Sequence, residues 1–293
     1  MHRTSQQLER LVAIAAMGAL ALTARAQDAP ISTEPAGPGA GAALWELGLG
    51  ALAGWQPAYP GADEHLRKLR LLPYGIYRGD VVRVEDGAVG LRAVRTPRTE
   101  WGVSGAFSFG GGADQVKARS GMPSIGTLVE AGPQLRVNLG PLDEGADAAR
   151  RTRLFLPLRM VFDMNDRFSR QGWSFEPRLG HTLWQGGDAS LSTSAGLLFG
   201  DRRLNSLFYG VAPAYATPER PAYTARGGLI ALRLGTTWAQ RLTPAVRVYA
   251  FAGLESVQGA ANGASPLVRR RQDLSLGIGA TWSLWRSDGP ARE

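Results

Sequence analysis

The last regular stretch of the chain, residues 271–285, limits what this sequence can fold into more than any other stretch. Apolar residues occupy every second position from Leu274 to Leu284, and small or polar residues fill the positions between them. A period of two puts the two sets on opposite faces of a β-strand. Such a strand suits a barrel wall with lipid outside and water or polar side chains inside.

The N-terminus has the features of an export signal. Arg3 and Arg10 precede or flank the short apolar run Leu11–Thr23, and Ala24-Arg25-Ala26 is a small-x-small cleavage site. The run is too short to cross a ~30 Å hydrocarbon core comfortably as a helix. The sequence therefore predicts a signal peptide over residues 1–26, cleaved after Ala26, and export through the general secretory pathway. The proline-rich and glycine-rich residues 27–42 are predicted to be a flexible periplasmic segment.

Composition narrows the classes of function. The chain has no cysteine, which excludes disulfides, thiolate nucleophiles and cysteine-ligated metals. The formal charge is +8, and subtracting the signal's net +2 leaves +6 for the mature chain. A basic barrel suits outer-membrane lipid, lipopolysaccharide or an anionic cell-wall polymer, whereas nucleic acid is not an expected partner of an exported chain. Arginine-rich loops without any ligand would explain the same charge.

Period-two alternation recurs along the whole mature chain. It predicts an all-β fold, a transmembrane antiparallel β-barrel of a Gram-negative outer membrane, with about twelve strands and ten as the alternative. The barrel spans residues 43–285, and residues 286–293 form a C-terminal tail. A soluble β-sandwich or lipocalin-like barrel is the alternative, but the glycine-rich polar face and the export signal favour the membrane barrel.

Several local features carry their own predictions. Pro73 cannot donate to a sheet ladder, so a bulge or strand end is expected there. Residues 201–221 form the longest irregular stretch, with a weak strand near Phe208–Val211. The alternation places Ile125 and Ile230 on the lipid-facing side.

The same alternation places a set of charged residues on the interior face of the barrel. In a selective pore they would line an open passage, whereas in a small filled barrel they would pair across the interior. The second interpretation is favoured, because side chains usually fill small barrels. The predicted interior residues are Glu46, Glu100, Glu130, Arg136, Arg153, Arg159, Glu176, Arg178 and Arg233.

Catalytic chemistry has little support in the sequence. The mature chain has two histidines: His181 shares a face with apolar residues, and His65 lies in a predicted turn, without the spacing of a catalytic triad. Asp63 and Glu64 are interpreted as solvated turn residues and not as a calcium site. We therefore expect no catalytic residues, no cofactor and no metal.

Short motifs in a fixed order resemble the MipA/OmpV family of outer-membrane proteins. Tyr59-Pro60-Gly61-Ala62-Asp63-Glu64, followed by Leu72-Pro73-Tyr74, resembles the family's Tyr-x-Gly-Ser-Asp and Leu-Pro-Tyr signature, with Ala62 where serine is usual. Phe199-Gly200-Asp201, Tyr209-Gly210-Val211 and Ser265-Pro266-Leu267-Val268 resemble later blocks. The motif positions are Tyr59, Gly61, Asp63, Pro73, Tyr74, Gly132, Gly172, Pro177, Ser265 and Pro266.

The resemblance implies a function as well as a fold. The family's founding role is that of a scaffold that links a lytic transglycosylase to a bifunctional penicillin-binding protein in murein (peptidoglycan) synthesis. The expected function is accordingly a non-enzymatic scaffold or adaptor. The alternative is a pore or channel for small solutes across the outer membrane. A membrane enzyme is a third hypothesis, and it lacks a recognisable triad.

Overall fold

The computed structural model describes residues 45–78, 82–85, 88–91, 96, 98–109, 116–140 and 151–287. The predicted signal peptide, the segment 27–42 and residues 288–293 lie outside these ranges. Within them, thirteen strands form one sheet: β1 (Trp45–Pro57), β2 (His65–Arg78), β3 (Val82–Glu85), β4 (Ala88–Leu91), β5 (Thr99–Phe109), β6 (Thr127–Asn138), β7 (Thr152–Asp163), β8 (Ser169–Phe175), β9 (Arg178–Gly186), β10 (Ala189–Gly200), β11 (Gly228–Arg241), β12 (Val246–Ser256) and β13 (Gln272–Arg286).

The sheet closes on itself. Strands pair antiparallel with their neighbours in the chain, and β1 also pairs with β13, from Glu46 opposite Arg286 to Trp55 opposite Leu276. At the other edge of the sheet, β4 lies beside β5. β8 and β9 lie end to end, and both pair with β7 and β10, so together they fill one position. The predicted antiparallel barrel of about twelve strands is confirmed.

Side-chain exposure separates the two faces as the alternation predicts. On β13, Leu274 and Leu276 are 43% and 46% exposed, whereas Ser275 between them is 1% exposed. On β2, Leu69 and Leu71 are exposed as well. A soluble sandwich would bury such residues, so the outward apolar face is that of a membrane barrel.

The interior of the barrel is packed where the last two strands meet. Phe251 on β12 lies opposite Gly277 on β13, and Tyr249 lies opposite Gly279. A Cβ atom on Gly277 would overlap the Phe251 ring. The glycines of β13 therefore leave room for two buried aromatic side chains, which fill this part of the interior.

The connections at the end of the barrel remote from the chain termini pack together. We call this assembly the cap; it comprises residues 58–64, 116–126, 164–168, 201–227 and 257–271. It contains one α-helix, α1 (Arg202–Tyr209), and two short 3₁₀ turns, Lys117–Arg119 and Pro213–Tyr215. The buried apolar core joins the cap to inward-facing residues at the adjacent strand ends, including Leu128, Val161 and Leu198.

Helix α1 corrects the prediction of a weak strand near Phe208–Val211. The Asp201 carboxylate accepts a hydrogen bond from the Leu204 backbone N–H (2.8 Å) and caps the helix N-terminus. Leu204 and Phe208 are buried four residues apart on one face. Because the helix has only eight residues, its periodicity is too short to recognise from the sequence alone.

Two isoleucines predicted to face lipid are buried in the interior. Ile125 precedes β6 and belongs to the cap. Ile230 lies at a β-bulge, because Leu198 pairs with Ala231 and Phe199 pairs with Leu229. The extra residue in the bulge turns the Ile230 side chain inward, so the strict alternation fails there.

Strand β2 differs from its prediction in two respects. It pairs with β1 without a break, and Pro73 lies opposite Leu49. Among the described residues, β3 pairs with β2 only at Tyr77 and Arg78. The pairing with β3 therefore does not require a hydrogen bond from the backbone at Pro73, where proline has no N–H group. His65, predicted to lie in a turn, is the first residue of β2.

No helix in the described ranges is long and apolar enough to cross a membrane.

Candidate functional site

Charged side chains form a network along the inner wall of the barrel beneath the cap, from β6 to β12. Glu176, at the junction of β8 and β9, lies at the centre. Its Oε2 atom is 3.6 Å from Arg159 Nη1, and its Oε1 atom is 3.0 Å from Arg233 Nη1. Arg233 Nε also donates to Glu255 Oε2 at 2.8 Å. Two arginines are thus bridged by one carboxylate.

Glu130 extends this network toward β5 and β6. Arg159 Nη1 lies 3.9 Å from Glu130 Oε2, and Ser174 Oγ donates to the same oxygen at 2.6 Å. Arg159 Nε donates to Ser104 Oγ at 3.0 Å. We call this network the charged belt, and it consists of Glu130, Arg159, Glu176, Arg233 and Glu255. Buried charges need such partners, because leaving one unpaired is costly.

A second group of predicted residues lies nearer the terminus end of the barrel. The inward-facing Phe155 ring sits between two guanidiniums, 5.5 Å from Arg136 and 4.9 Å from Arg178. Arg136 also lies 3.7 Å from Glu100. The half-buried Arg153 and Glu46 belong to this end as well. Four of the nine predicted residues therefore belong to the charged belt, and the other five lie nearer the terminus end. Arg178 connects the two regions, because it borders a small pocket that Arg233 and Glu255 also line.

The motif residues from distant parts of the sequence meet in the cap. The Tyr59 hydroxyl donates to the Leu267 carbonyl (2.8 Å), and the Tyr209 hydroxyl donates to the Pro60 carbonyl (3.0 Å). Ser265 Oγ donates to the Tyr209 carbonyl at 2.7 Å. Three motifs that are far apart in sequence therefore form one hydrogen-bonded unit.

Gly61 joins this unit through its backbone. Its φ of +89° favours glycine, and its carbonyl accepts hydrogen bonds from the N–H groups of Arg269 (2.8 Å) and Arg270 (3.0 Å). Asp63 is exposed beside it, and Pro266 is half-buried in the cap.

The remaining motif positions lie outside this hydrogen-bonded unit. Gly172 on β8 has a φ of +129° and lies against the helix-capping Asp201. Gly132 packs closely on the backbone of β7 at Leu158. Pro177 separates β8 from β9, and Pro73 and Tyr74 lie within β2.

Sequence comparison decides the family. A family model described as "MltA-interacting protein MipA" matches residues 49–284. The chain belongs to the MipA family. This confirms the resemblance, and together with the barrel fold it identifies an outer-membrane protein. No curated protein matches the sequence.

Several solved structures show a limited similarity to this MipA-family chain. A NanC porin has 11% identity and a TM-score of 0.40, with 80% of this chain and 100% of that chain covered. A bacterial polysaccharide outer membrane secretin has 9% identity and a TM-score of 0.41, covering 83% and 99%. The COG4313 outer membrane channel from Pseudomonas putida F1 has 9% identity and a TM-score of 0.35, covering 86% and 99%.

Burial sets the electrostatics of the MipA-family cap. It raises the pKa of both the Tyr59 and the Tyr209 hydroxyl, and it lowers the pKa of the Arg119 guanidinium. Arg119 donates to the carbonyls of Phe208 and Pro123, each at 3.2 Å. Neutral carbonyl oxygens of the cap therefore hold the buried Arg119 guanidinium in place.

Glu64 differs from the solvated turn residue that the sequence predicted. Its Oε1 atom accepts a hydrogen bond from the Lys117 backbone N–H at 2.8 Å. Burial, followed by the neighbouring Asp63, raises the pKa of its carboxyl group. Glu64 therefore connects two segments of the cap, whereas Asp63 is exposed as expected.

Sequence reasoning missed several buried polar residues, among them Arg119, Glu255, Asn205 and Asn262. Glu255 belongs to the charged belt, and its position in register opposite Arg233 would have identified it. Asn205 and Asn262 are buried and bonded to each other, with Asn262 Nδ2 2.8 Å from Asn205 Oδ1. No local pattern connects the two asparagines, which are 57 residues apart.

The two histidines among the described residues occupy separate places. His65 Nε2 lies 2.6 Å from Asp273 Oδ1, and its ring stacks on Trp55 with the centroids 4.0 Å apart. His181 Nδ1 lies 2.7 Å from Thr152 Oγ1 at an exposed position. Within the described residues, no group of three or more histidine, aspartate or glutamate side chains could hold a metal ion.

Proposed function

We propose that this protein is a non-enzymatic outer-membrane scaffold for enzymes that synthesise and hydrolyse murein. Family membership supports the proposal, because the matching family is described as an MltA-interacting protein. The observation that carries it is the charged belt along the inner wall beneath the cap. A barrel whose strands are tied together in this way is a rigid body suited to presenting a surface.

The orientation follows from the lengths of the connections. The longest described connections, 201–227 and 257–271, lie in the cap, whereas the turns 187–188 and 242–245 lie at the terminus end. Outer-membrane barrels have short periplasmic turns and longer extracellular loops. We therefore infer that the cap faces outward and that both chain ends face the periplasm.

The periplasmic end offers the docking surfaces that a scaffold needs. The candidate surfaces are the short turns and residues 27–42, exposed after the signal peptide is cleaved following Ala26. An exposed ion pair between Asp188 and Arg241 joins the turn 187–188 to the end of β11. A scaffold raises the effective concentration of one enzyme near another only if it has two separate patches. We propose a lytic transglycosylase and a bifunctional penicillin-binding protein as the two partners.

The test is co-capture of the two enzymes by the purified, folded barrel. We expect the wild type to retain both enzymes at once, and deletion of residues 27–42 to weaken retention of one of them. Retention should also fall as salt rises, because exposed charges are screened beyond about 8–10 Å.

A charge-swap variant provides the matched control for the turns. Asp188→Arg combined with Arg241→Asp keeps the ion pair but exchanges its polarity, whereas Arg241→Asp alone breaks it. If the turns form a patch, both variants lose one partner while the barrel stays folded. Failure to capture either enzyme at any salt concentration would exclude the scaffold role and leave the barrel assignment intact.

One observation favours a pore as the second candidate. At the terminus end of the interior, Arg136 and Glu100 keep 17% and 24% of their side-chain surface exposed. A charged, partly hydrated vestibule of this kind could select small solutes by charge. Conductance in planar bilayers separates this candidate from the scaffold.

A further inference from the structure

The outer wall of the barrel carries an apolar groove. It has a volume of about 700 Å³ and runs across four adjacent strands, β2, β1, β13 and β12. Leu69, Leu276 and Ile278 are exposed along its sides, and the small Ala53 and Ala250 lie low between them. The groove is therefore a depression between large apolar side chains in the wall that faces lipid.

Strand register explains how the groove is formed. One outward row contains Leu69, Ala53, Ile278 and Ala250, and the next row toward the cap contains Arg67, Trp55 and Leu276. The row between them includes Gly54 and Gly277, and its side chains face the interior. This middle row therefore contributes backbone to the floor of the groove.

The end of the groove nearer the cap is polar and basic. Arg67 is exposed there, two residues after the start of β2. Trp55 lies beside it and is stacked on His65, which contacts Asp273. Arg270, whose side chain is 52% exposed, lies 4.0 Å from Asp273. The Trp55 ring and the cationic Arg67 side chain thus border this end of the apolar groove, and a second cation, Arg270, lies beyond His65 and Asp273.

We propose that this groove binds lipid A, the phosphorylated acyl-chain anchor of lipopolysaccharide. One acyl chain lies between Leu69 and Ile278, and a phosphate contacts Arg67 at the level where tryptophan marks the membrane interface. The cap end carries the longer loops, so the basic end faces the outer leaflet, where lipopolysaccharide resides. This inference concerns the barrel wall and does not depend on the scaffold function.

The test is a titration of the detergent-folded protein with lipid A carrying both phosphates, followed by native mass spectrometry. We expect the wild type to bind one lipid A more tightly than any further copies. Arg67→Gln should weaken that first binding about tenfold, because a charge-assisted hydrogen bond is lost. Ala53→Phe fills the groove and should weaken it as well.

Matched variants elsewhere on the barrel wall separate this site from general lipid adsorption. Arg170 is also exposed beside a tryptophan, 5.6 Å from the ring of Trp173, and Ala195 is an exposed alanine on β10. Arg170→Gln and Ala195→Phe should bind lipid A as the wild type does. Equal losses in these controls, or wild-type binding by Arg67→Gln, would overturn the proposal.

Dephosphorylated lipid A tests which group Arg67 contacts. Removal of the phosphates should weaken binding to the wild type but change little for Arg67→Gln, since the two changes remove the same interaction. Additive losses would show that Arg67 does not contact the phosphate and would overturn the proposal.

Binding of phosphatidylethanolamine by the wild type as tightly as lipid A would also overturn the proposal. Heat-dependent gel migration checks that each variant is folded, and Arg67→Gln decides the test if Ala53→Phe does not fold.

Discussion

At the scale of single residues, Gly277 shows how a position on the inner wall depends on its neighbour across the strands. The sequence suggests a small residue facing a polar lumen, but the space is occupied by Phe251. Small inward residues on one strand and large ones on the next fill the barrel together. The role of Gly277 is therefore to leave space for the Phe251 ring.

Gly277→Ala should destabilise the folded barrel by about 1–3 kcal/mol, because the added methyl group overpacks the Phe251 ring. Urea unfolding in lipid vesicles would measure the change in the free energy of unfolding. Phe251→Leu in the same chain should recover part of the loss. Gly279→Ala, where a Cβ atom would lie 3.2 Å from the Ala51 carbonyl, should cost less. An equal cost at the two glycines would contradict this explanation.

Glu176→Gln should destabilise the protein by about 3 kcal/mol, because it removes the charge that two buried arginines share. The exposed pair between Asp188 and Arg241 provides the comparison, and Asp188→Asn should cost less than about 1 kcal/mol. The same urea unfolding experiment measures both. A smaller loss at Glu176 than at Asp188 would show that the charged belt is not a stabilising network.

Individual residues also show where sequence reasoning stops. Alternation alone placed Glu130, Arg159 and Glu176 inside, because inward and outward positions follow from a period of two. It could not tell which of them touch, since pairing depends on how β8 and β9 share one place in the sheet. It also misplaced Ile230, because a β-bulge shifts the alternation by one residue without a sequence signal.

At the scale of elements, the cap is the part least visible in the sequence. Its motifs were recognised as short blocks, but their meeting depends on side-chain hydrogen bonds between loops, such as the bond from Ser265 to the backbone of Tyr209. Strands repeat a simple period and so could be located individually. Loops have no such period, and α1 was missed for that reason.

The cap should lose stability in alkaline solution. Burial raises the pKa of Tyr59 and Tyr209 above the ordinary value of 10.0, so the folded cap keeps both hydroxyls protonated. This contribution is fully present below pH 10 and is lost as the pH rises through the higher pKa values of the folded state. Tyrosinate absorbance of the folded protein should show Tyr59 and Tyr209 titrating above the ordinary pKa.

Tyr59→Phe provides the control for this titration. It should remove one late-titrating group and leave the other, since Tyr209 donates to a different carbonyl. Titration of every tyrosine near its ordinary pKa in the folded wild type would contradict the buried cap.

At the scale of the whole molecule, the cap packs over one end of the barrel, and the charged belt lines the inner wall beneath it. We expect the wild type to conduct ions poorly in planar bilayers. Replacement of residues 202–226 by a short glycine-serine linker should raise the conductance, because it removes α1 from the mouth of the barrel. A stable, anion-selective current through the unmodified protein would favour the pore over the scaffold.

The hydrogen bonds of the cap have a consequence for the order of folding. Tyr59 and Leu267 are 208 residues apart, and Tyr209 and Pro60 are 149 apart. Contacts of such long range form only after the intervening chain has been ordered, because closing large loops costs entropy beforehand. The cap therefore assembles last, once the first and final strands have met. A chain arrested before that step leaves the apolar core beneath the cap uncovered, and exposed apolar surface of this kind makes an unfinished barrel prone to aggregate.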